Sequence, residues 1–169
     1  MQMSQNVIIF IDNSNIFHSF QSLNFQCDYY QLKEIIIGNR NLVEANLYTG
    51  IMYPVREKDK VWYSSLNKMG YTLKTRAIKV APNGKKTEKR IDVLMAVDII
   101  SSAFEKNIDT IIIVSGDSDF VPVVKKLKDL NKKVEVWSFR KNLSQQLGGL
   151  LDPESIYYID DILDQIRLL

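Results

Sequence analysis

The sequence predicts an α/β fold, a parallel sheet with helices on both faces. Val7–Ile11 and Thr110–Val114 are unbroken apolar runs, the pattern of strands buried on both sides. Strand-like and helix-like segments alternate along the chain, which implies parallel strands joined by helical crossovers. There is no repeat, low-complexity tract or long linker, so residues 1–169 are expected to form one domain.

The elements follow in order. Val7–Ile11 runs into Asp12-Asn13-Ser14-Asn15, a helix-start signal, and that helix is predicted to about Leu23. Asp28 suits the N-cap of a short helix. Leu42–Tyr48 reads as the second strand. Glu57–Met69 is a charged amphipathic helix closed by Gly70. Thr72–Ile78 is the third strand. Pro82-Asn83-Gly84, set between lysines, predicts a mobile basic loop over Lys79–Glu88. Ile91–Lys106 is predicted helical, with Val93, Ala96, Val97, Ile99, Ile100, Ala103 and Phe104 as its inward arc. After the fourth strand, Thr110–Val114, comes the turn Ser115-Gly116-Asp117-Ser118-Asp119. Phe120–Leu130 is a helix with Pro122 in its first turn, where a missing N–H costs little. Lys133–Trp137 is the fifth strand. The remainder reads as a short helix, a short strand around Ile156–Ile159 and a terminal helix.

Composition excludes several classes. Hydrophobic residues are 46% and charged residues 25%, which argues against disorder. Cys27 is the single cysteine, so an internal disulfide and a cysteine zinc cluster are both excluded. The N-terminus has no basic leader, and its apolar run is too short for a membrane span. A soluble protein of the reducing cytoplasm is therefore expected. His18 is the only histidine, which excludes a histidine acid–base pair, and there is no glycine-rich phosphate loop. Net charge is only +2, but it is segregated. The stretch from Arg56 to Arg90 is strongly basic, opposed only by Glu57, Asp59 and Glu88, and can present phosphate with a basic face. The lysines of the second basic group, Lys125 to Lys133, are better read as solvating a helix back.

The chemistry lies in the carboxylates. Ligands of open parallel sheets bind beyond the C-terminal strand ends. Asp12 follows the first apolar run; Asp117 and Asp119 follow the second. If those strands are neighbours, the acids converge, and a bound cation relieves their repulsion. Oxygen ligands suit Mg²⁺ or Mn²⁺. Each acid also has a plain structural role open to it. Asp12 could be a helix N-cap, and Asp119 could cap the helix starting at Phe120. Asp117 has no such local demand. Ser115 and Ser118 could be turn formers or donors supporting the acids. Asp92 falls in the first turn of its helix at the edge of the apolar arc, facing inward. Asp98 lies roughly 120° further round, among Ser101, Ser102 and Glu105, and is predicted to face solvent.

Three blocks are familiar together. They are Val7-Ile8-Ile9-Phe10-Ile11-Asp12-Asn13-Ser14-Asn15, then Lys89-Arg90-Ile91-Asp92-Val93 leading to Asp98, then Val114-Ser115-Gly116-Asp117-Ser118-Asp119-Phe120. In this order they resemble the NYN domain, most of all its bacterial LabA-like branch within the PIN-like nuclease group. The resemblance spans Val7 to about Phe139. It implies a Rossmann-like three-layer sandwich with strand order 3-2-1-4-5, with room for an extra C-terminal strand. It implies metal-dependent RNA cleavage, with Asp12, Asp92, Asp117 and Asp119 as metal-site acids and Asn15 as a polar partner. Asp98 matches a recurrent acid of the branch, at odds with its predicted solvated face. Asn13-Ser14 stands where many relatives have a glycine and could narrow access near Asp12.

The expectation is thus hydrolysis of RNA, single-stranded or structured, with Mg²⁺ or Mn²⁺ as cofactor. Lys85, Lys86, Lys89 and Arg90 are expected to hold the RNA backbone. A non-catalytic RNA-binding or regulatory module on the same fold is the alternative. An aspartyl phosphatase ranks below both, because Ser14 stands where such enzymes carry a second acid. A homodimer through the helices is compatible with the sequence.

Overall fold

The computed structural model describes residues 4–87, 90–105 and 107–169. The strands are β1 (Asn6–Asp12), β2 (Asn41–Ile51), β3 (Tyr71–Ala77), β4 (Lys79–Val80), β5 (Lys86–Thr87), β6 (Thr110–Val114), β7 (Lys133–Ser138) and β8 (Ile156–Tyr158). The main sheet has the order β3-β2-β1-β6-β7-β8, with every neighbouring pair parallel. The five-strand order implied by the resemblance is not matched strand for strand. The departure is a separate antiparallel hairpin, β4-β5, which intervenes between β3 and β6; β8, at the sheet edge, is the extra C-terminal strand for which the expectation left room.

Helices α1 (Asn13–Ser22), α2 (Tyr29–Ile37) and α3 (Glu57–Lys68) cover one face of the sheet. Helices α4 (Ile91–Ser102), α5 (Val121–Asp129) and α6 (Gln145–Gly148) cover the other. The period of two along each strand separates the two cores. Val7, Ile9, Ile11, Ile112 and Val114 face the first layer; Ile8, Phe10, Ile111 and Ile113 face the second. Each of these residues is at most 3% exposed. Burying one such side chain contributes about 1.5–3 kcal/mol, which is why the middles of these two strands are apolar and their polar residues, Asn6, Asp12 and Thr110, stand at the ends. Among the described residues, no helix is long and apolar enough to cross a membrane.

Three expectations are corrected. The basic segment is a hairpin where an irregular loop is expected: Lys79 pairs with Thr87 and Val80 with Lys86, closed by Gly84 at φ 78°, and Glu88 lies outside the described residues. The Asn83 carboxamide accepts from the Lys85 amide and stabilises that turn. The inward face of α4 is also different. Ile91, Met95, Ile99 and Ser102 are buried, whereas Val93, Val97 and Phe104 are 65%, 57% and 68% exposed. This helix is apolar nearly all round, so periodicity alone does not select a face; packing against Phe10, Tyr48 and Ile113 does. The terminal helix is a run of 3-10 turns, Ile159–Gln165.

Candidate functional site

The strand ends of β1 and β6 lie side by side, with Ile11 paired to Val114, so the chain delivers Asp12 and Ser115 to the same point. Asp12 leaves β1 with an extended backbone and serves as N-cap of α1, its Oδ1 accepting from the Asn15 amide at 3.3 Å. Its Oδ2 accepts from Ser115 Oγ at 2.9 Å. The same Ser115 Oγ accepts from the Asp117 amide at 3.2 Å. Asn15 Oδ1 accepts from the Gly116 amide at 3.2 Å, tying the start of α1 to the turn after β6.

Asp12 is 6% exposed, and among the described residues no lysine or arginine pairs with it. Burial lifts its carboxyl to about 7, opposed by the Ser115 bond and raised further by the charges of Asp92 and Asp117. Two of the other three expected acids, Asp92 and Asp117, therefore act electrostatically on Asp12. Asp92 and Asp117 are both half-buried, Asp92 in the first turn of α4 and Asp117 after β6. Asp117 is the residue that caps the short turn Ser118–Phe120, its Oδ1 accepting from the Asp119 amide at 2.9 Å. The capping role weighed for Asp119 therefore belongs to Asp117, and α5 begins at Val121 without a side-chain cap. Asp119 and Ser118 are exposed. No three of the described acids, histidines and cysteines stand close enough together to hold a metal ion by side chains alone.

Asp98 lies elsewhere. Its Oδ2 accepts from Tyr48 Oη at 2.7 Å, and it lines a groove with Glu44, Asn46 and Lys74. It is half-buried rather than solvated, and it is not among the charges that act on Asp12. Ser102, expected on the same solvated face, is 3% exposed. Asn13 turns away from Asp12 into the α1 layer, where its Oδ1 accepts from Tyr29 Oη at 2.8 Å. Lys85, Lys86 and Arg90 are exposed, with Arg90 at φ 87° just before α4; Lys89 lies outside the described residues.

The turn is clamped from a part of the chain whose role no local pattern signals. Asn142 Nδ2 donates to Ser19 Oγ and to the Asn15 carbonyl at 3.4 Å, and the Ser144 amide donates to the Gly116 carbonyl at 2.9 Å. A Cβ on Gly116 would stand 2.4 Å from both Asn142 O and Ser138 Oγ. Only glycine lets this segment close over the strand end. The glycine is visible in the sequence; its partners are not.

The model of the NYN domain family matches residues 6–154. The chain belongs to the NYN domain family. Among the relatives of this NYN chain is the low amplitude and bright protein LabA of Synechococcus elongatus, 28% identical over 167 residues, covering 94% of this chain and 84% of LabA. An uncharacterized protein of Methanocaldococcus jannaschii is 42% identical over 62 residues, which is 37% of this chain and only 26% of that protein. Among solved structures, a protein of unknown function from Vibrio parahaemolyticus superposes with TM-score 0.81 and 24% identity, covering 99% of both chains. That likeness concerns the fold.

Proposed function

We propose that this NYN domain is a divalent-metal-dependent ribonuclease of the LabA-like, PIN-like type, hydrolysing RNA phosphodiester bonds at the ends of β1 and β6. The observation that carries the reading is Asp12, a buried carboxyl raised to about 7 beside Asp92 and Asp117. Such a group is costly unless a ligand compensates its charge. Its donor set fits Mg²⁺ or Mn²⁺, which commonly take one or two protein carboxylates and complete their shell with water and substrate phosphate. That mode needs no cage of three acids. Asp12 and Asp117 are the assigned ligands, with Asp92 and Asp119 as the further acids of the site.

When bound, the ion supplies Lewis acidity at the scissile phosphate and a more acidic water. The chain's own part is positioning. Ser115 fixes the orientation of the Asp12 carboxylate and, through its bond to the Asp117 amide, the turn that carries Asp117. Asn15 holds that turn against α1. Asp12 must release its proton to take an ion, so occupancy rises with pH through about 7. Lys85, Lys86 and Arg90, with Lys89, hold the RNA backbone.

The second reading is a non-catalytic RNA-binding module. The exposed cations Lys85, Lys86 and Arg90 favour it, since they can hold RNA without any metal. The two are separated by cleavage of single-stranded RNA in Mn²⁺. The nuclease reading expects turnover that Asp117→Asn abolishes, and it fails if cleavage survives that change or if RNA binds without turnover.

A further inference from the structure

We infer that the outward face of α4 is the contact surface of a homodimer, with α4 of one copy lying alongside α4 of the other. The helix buries Ile91, Met95, Ile99 and Ser102 against the sheet. A surface helix normally turns polar and charged residues outward. Here the opposite face presents Val93, Val97 and Phe104, all exposed, with half-buried Ile100 between them. Phe104 continues the line in the turn that closes α4, its amide donating to the Ser101 carbonyl at 3.2 Å. No charged side chain interrupts this line over about three turns. Contiguous exposed apolar surface of this kind marks a site of association.

The spacing calls for a helix on the other side. Val93, Val97, Ile100 and Phe104 follow one another at steps of four, three and four residues, the seam of a two-helix coiled coil. Such a seam is self-complementary, so a second copy of the chain meets it across a twofold axis. The residues beside the seam, Leu94, Ala96 and Ser101, are apolar or small and carry no charge to hold two helices apart.

The charges on either side of α4 are complementary. Helix α4 packs on β1 and β2 and α5 packs on β7, so the sheet order places α5 on one flank of α4 and the β2–β3 edge on the other. The α5 flank carries Lys125, Lys126 and Lys128, all exposed, against Asp129. The other flank carries Glu44, Asp98 and Glu105 against Lys74. A twofold axis running along α4 makes the two helices parallel and brings the basic flank of each copy over the acidic flank of the other. A twofold axis across α4 would make them antiparallel and set like charges together. An apolar centre with a charged rim is the layout of a protein interface, and the rim fixes orientation more than affinity. The face of α4 alone is narrow for a contact of roughly 800 Å² per copy, so the flanks complete it and the expected affinity is micromolar. The dimer does not rest on the ribonuclease reading.

Analytical ultracentrifugation of the full chain between about 1 and 200 μM tests this, with a monomer–dimer equilibrium as the expected result. Val97→Glu charges an exposed seam position; it should keep the urea unfolding midpoint and leave the chain monomeric throughout. Val61→Glu, at an exposed apolar residue of α3 on the opposite layer, should leave the dimer intact. Lys125→Glu with Lys126→Glu should weaken dimerisation about tenfold, and adding Glu44→Lys and Glu105→Lys should restore it. In a Cys27→Ser background, Val93→Cys should cross-link to its own counterpart under mild oxidation, since a parallel seam places like residues together. A chain still monomeric at the highest concentration would overturn the inference and leave the face to a partner of other chemistry. A dimer that survives Val97→Glu, a charge reversal that the opposite reversal does not restore, or no cross-link from Val93→Cys would each overturn it as well.

Discussion

Ser115 Oγ donates to Asp12 Oδ2 at 2.9 Å, joining two residues 103 positions apart in the chain. The bond exists because β1 and β6 are parallel neighbours in matched register. It is one of the two bonds that hold the buried carboxyl of Asp12 down while burial pushes it up. Ser115→Ala should therefore move the Asp12 titration above about 7, read by carboxyl-carbon NMR, and shift the pH at which Mn²⁺ binds in the same direction. A titration that stays in place would remove Ser115 from the site.

The raised carboxyl also predicts how stability depends on pH without metal. Asp12 titrates at about 7 when folded against 3.8 ordinarily, so between those values the folded protein keeps a proton the unfolded chain has lost. Its contribution to unfolding free energy falls as pH rises across that window and is level above it. Asp12→Asn should be more stable than the parent at pH 8 by about 2–4 kcal/mol, and similar to it near pH 4. Urea unfolding in a chelator at the two pH values measures this.

Gly116→Ala places a Cβ against a backbone carbonyl that has no freedom to swing aside. The expected cost is about 1–3 kcal/mol in chemical denaturation. RNA cleavage should fall with it, since the displaced turn carries Asp117.

Asn142→Ala removes a clamp that touches none of the acids. It should cost about 1 kcal/mol for the lost bonds to Ser19 and Asn15. Activity should drop more than stability, because the start of α1 and the strand-end turn lose their common brace.

Lys85, Lys86 and Arg90 are exposed on the hairpin and at the start of α4. Changing all three to alanine should weaken single-stranded RNA binding. It should also flatten its log–log dependence on salt by about 0.7 for each phosphate no longer neutralised. An unchanged slope would place the RNA on another surface.

Much of this architecture is legible in the chain because burial on both faces leaves a plain mark. Val7–Ile11 and Thr110–Val114 could be little else than central strands, and the acids that end them follow directly. Asp28 and Asp12 both cap helices as their positions suggest. Helix α4 is not legible in the same way. With apolar residues all round, its orientation is chosen by Phe10, Tyr48 and Ile113, residues far away in sequence. The same packing brings Asp98 to Tyr48, where the helical wheel alone would leave it in solvent. Asn142 gives no signal at all, since its partners Asn15 and Ser19 lie 127 and 123 positions away.

Diffraction from crystals soaked in Mn²⁺ above pH 7 addresses the strand-end site most directly. An anomalous peak coordinated by the carboxylates of Asp12 and Asp117 is the predicted result. A pocket without a peak, with a lysine ammonium lying against Asp12 instead, would contradict it.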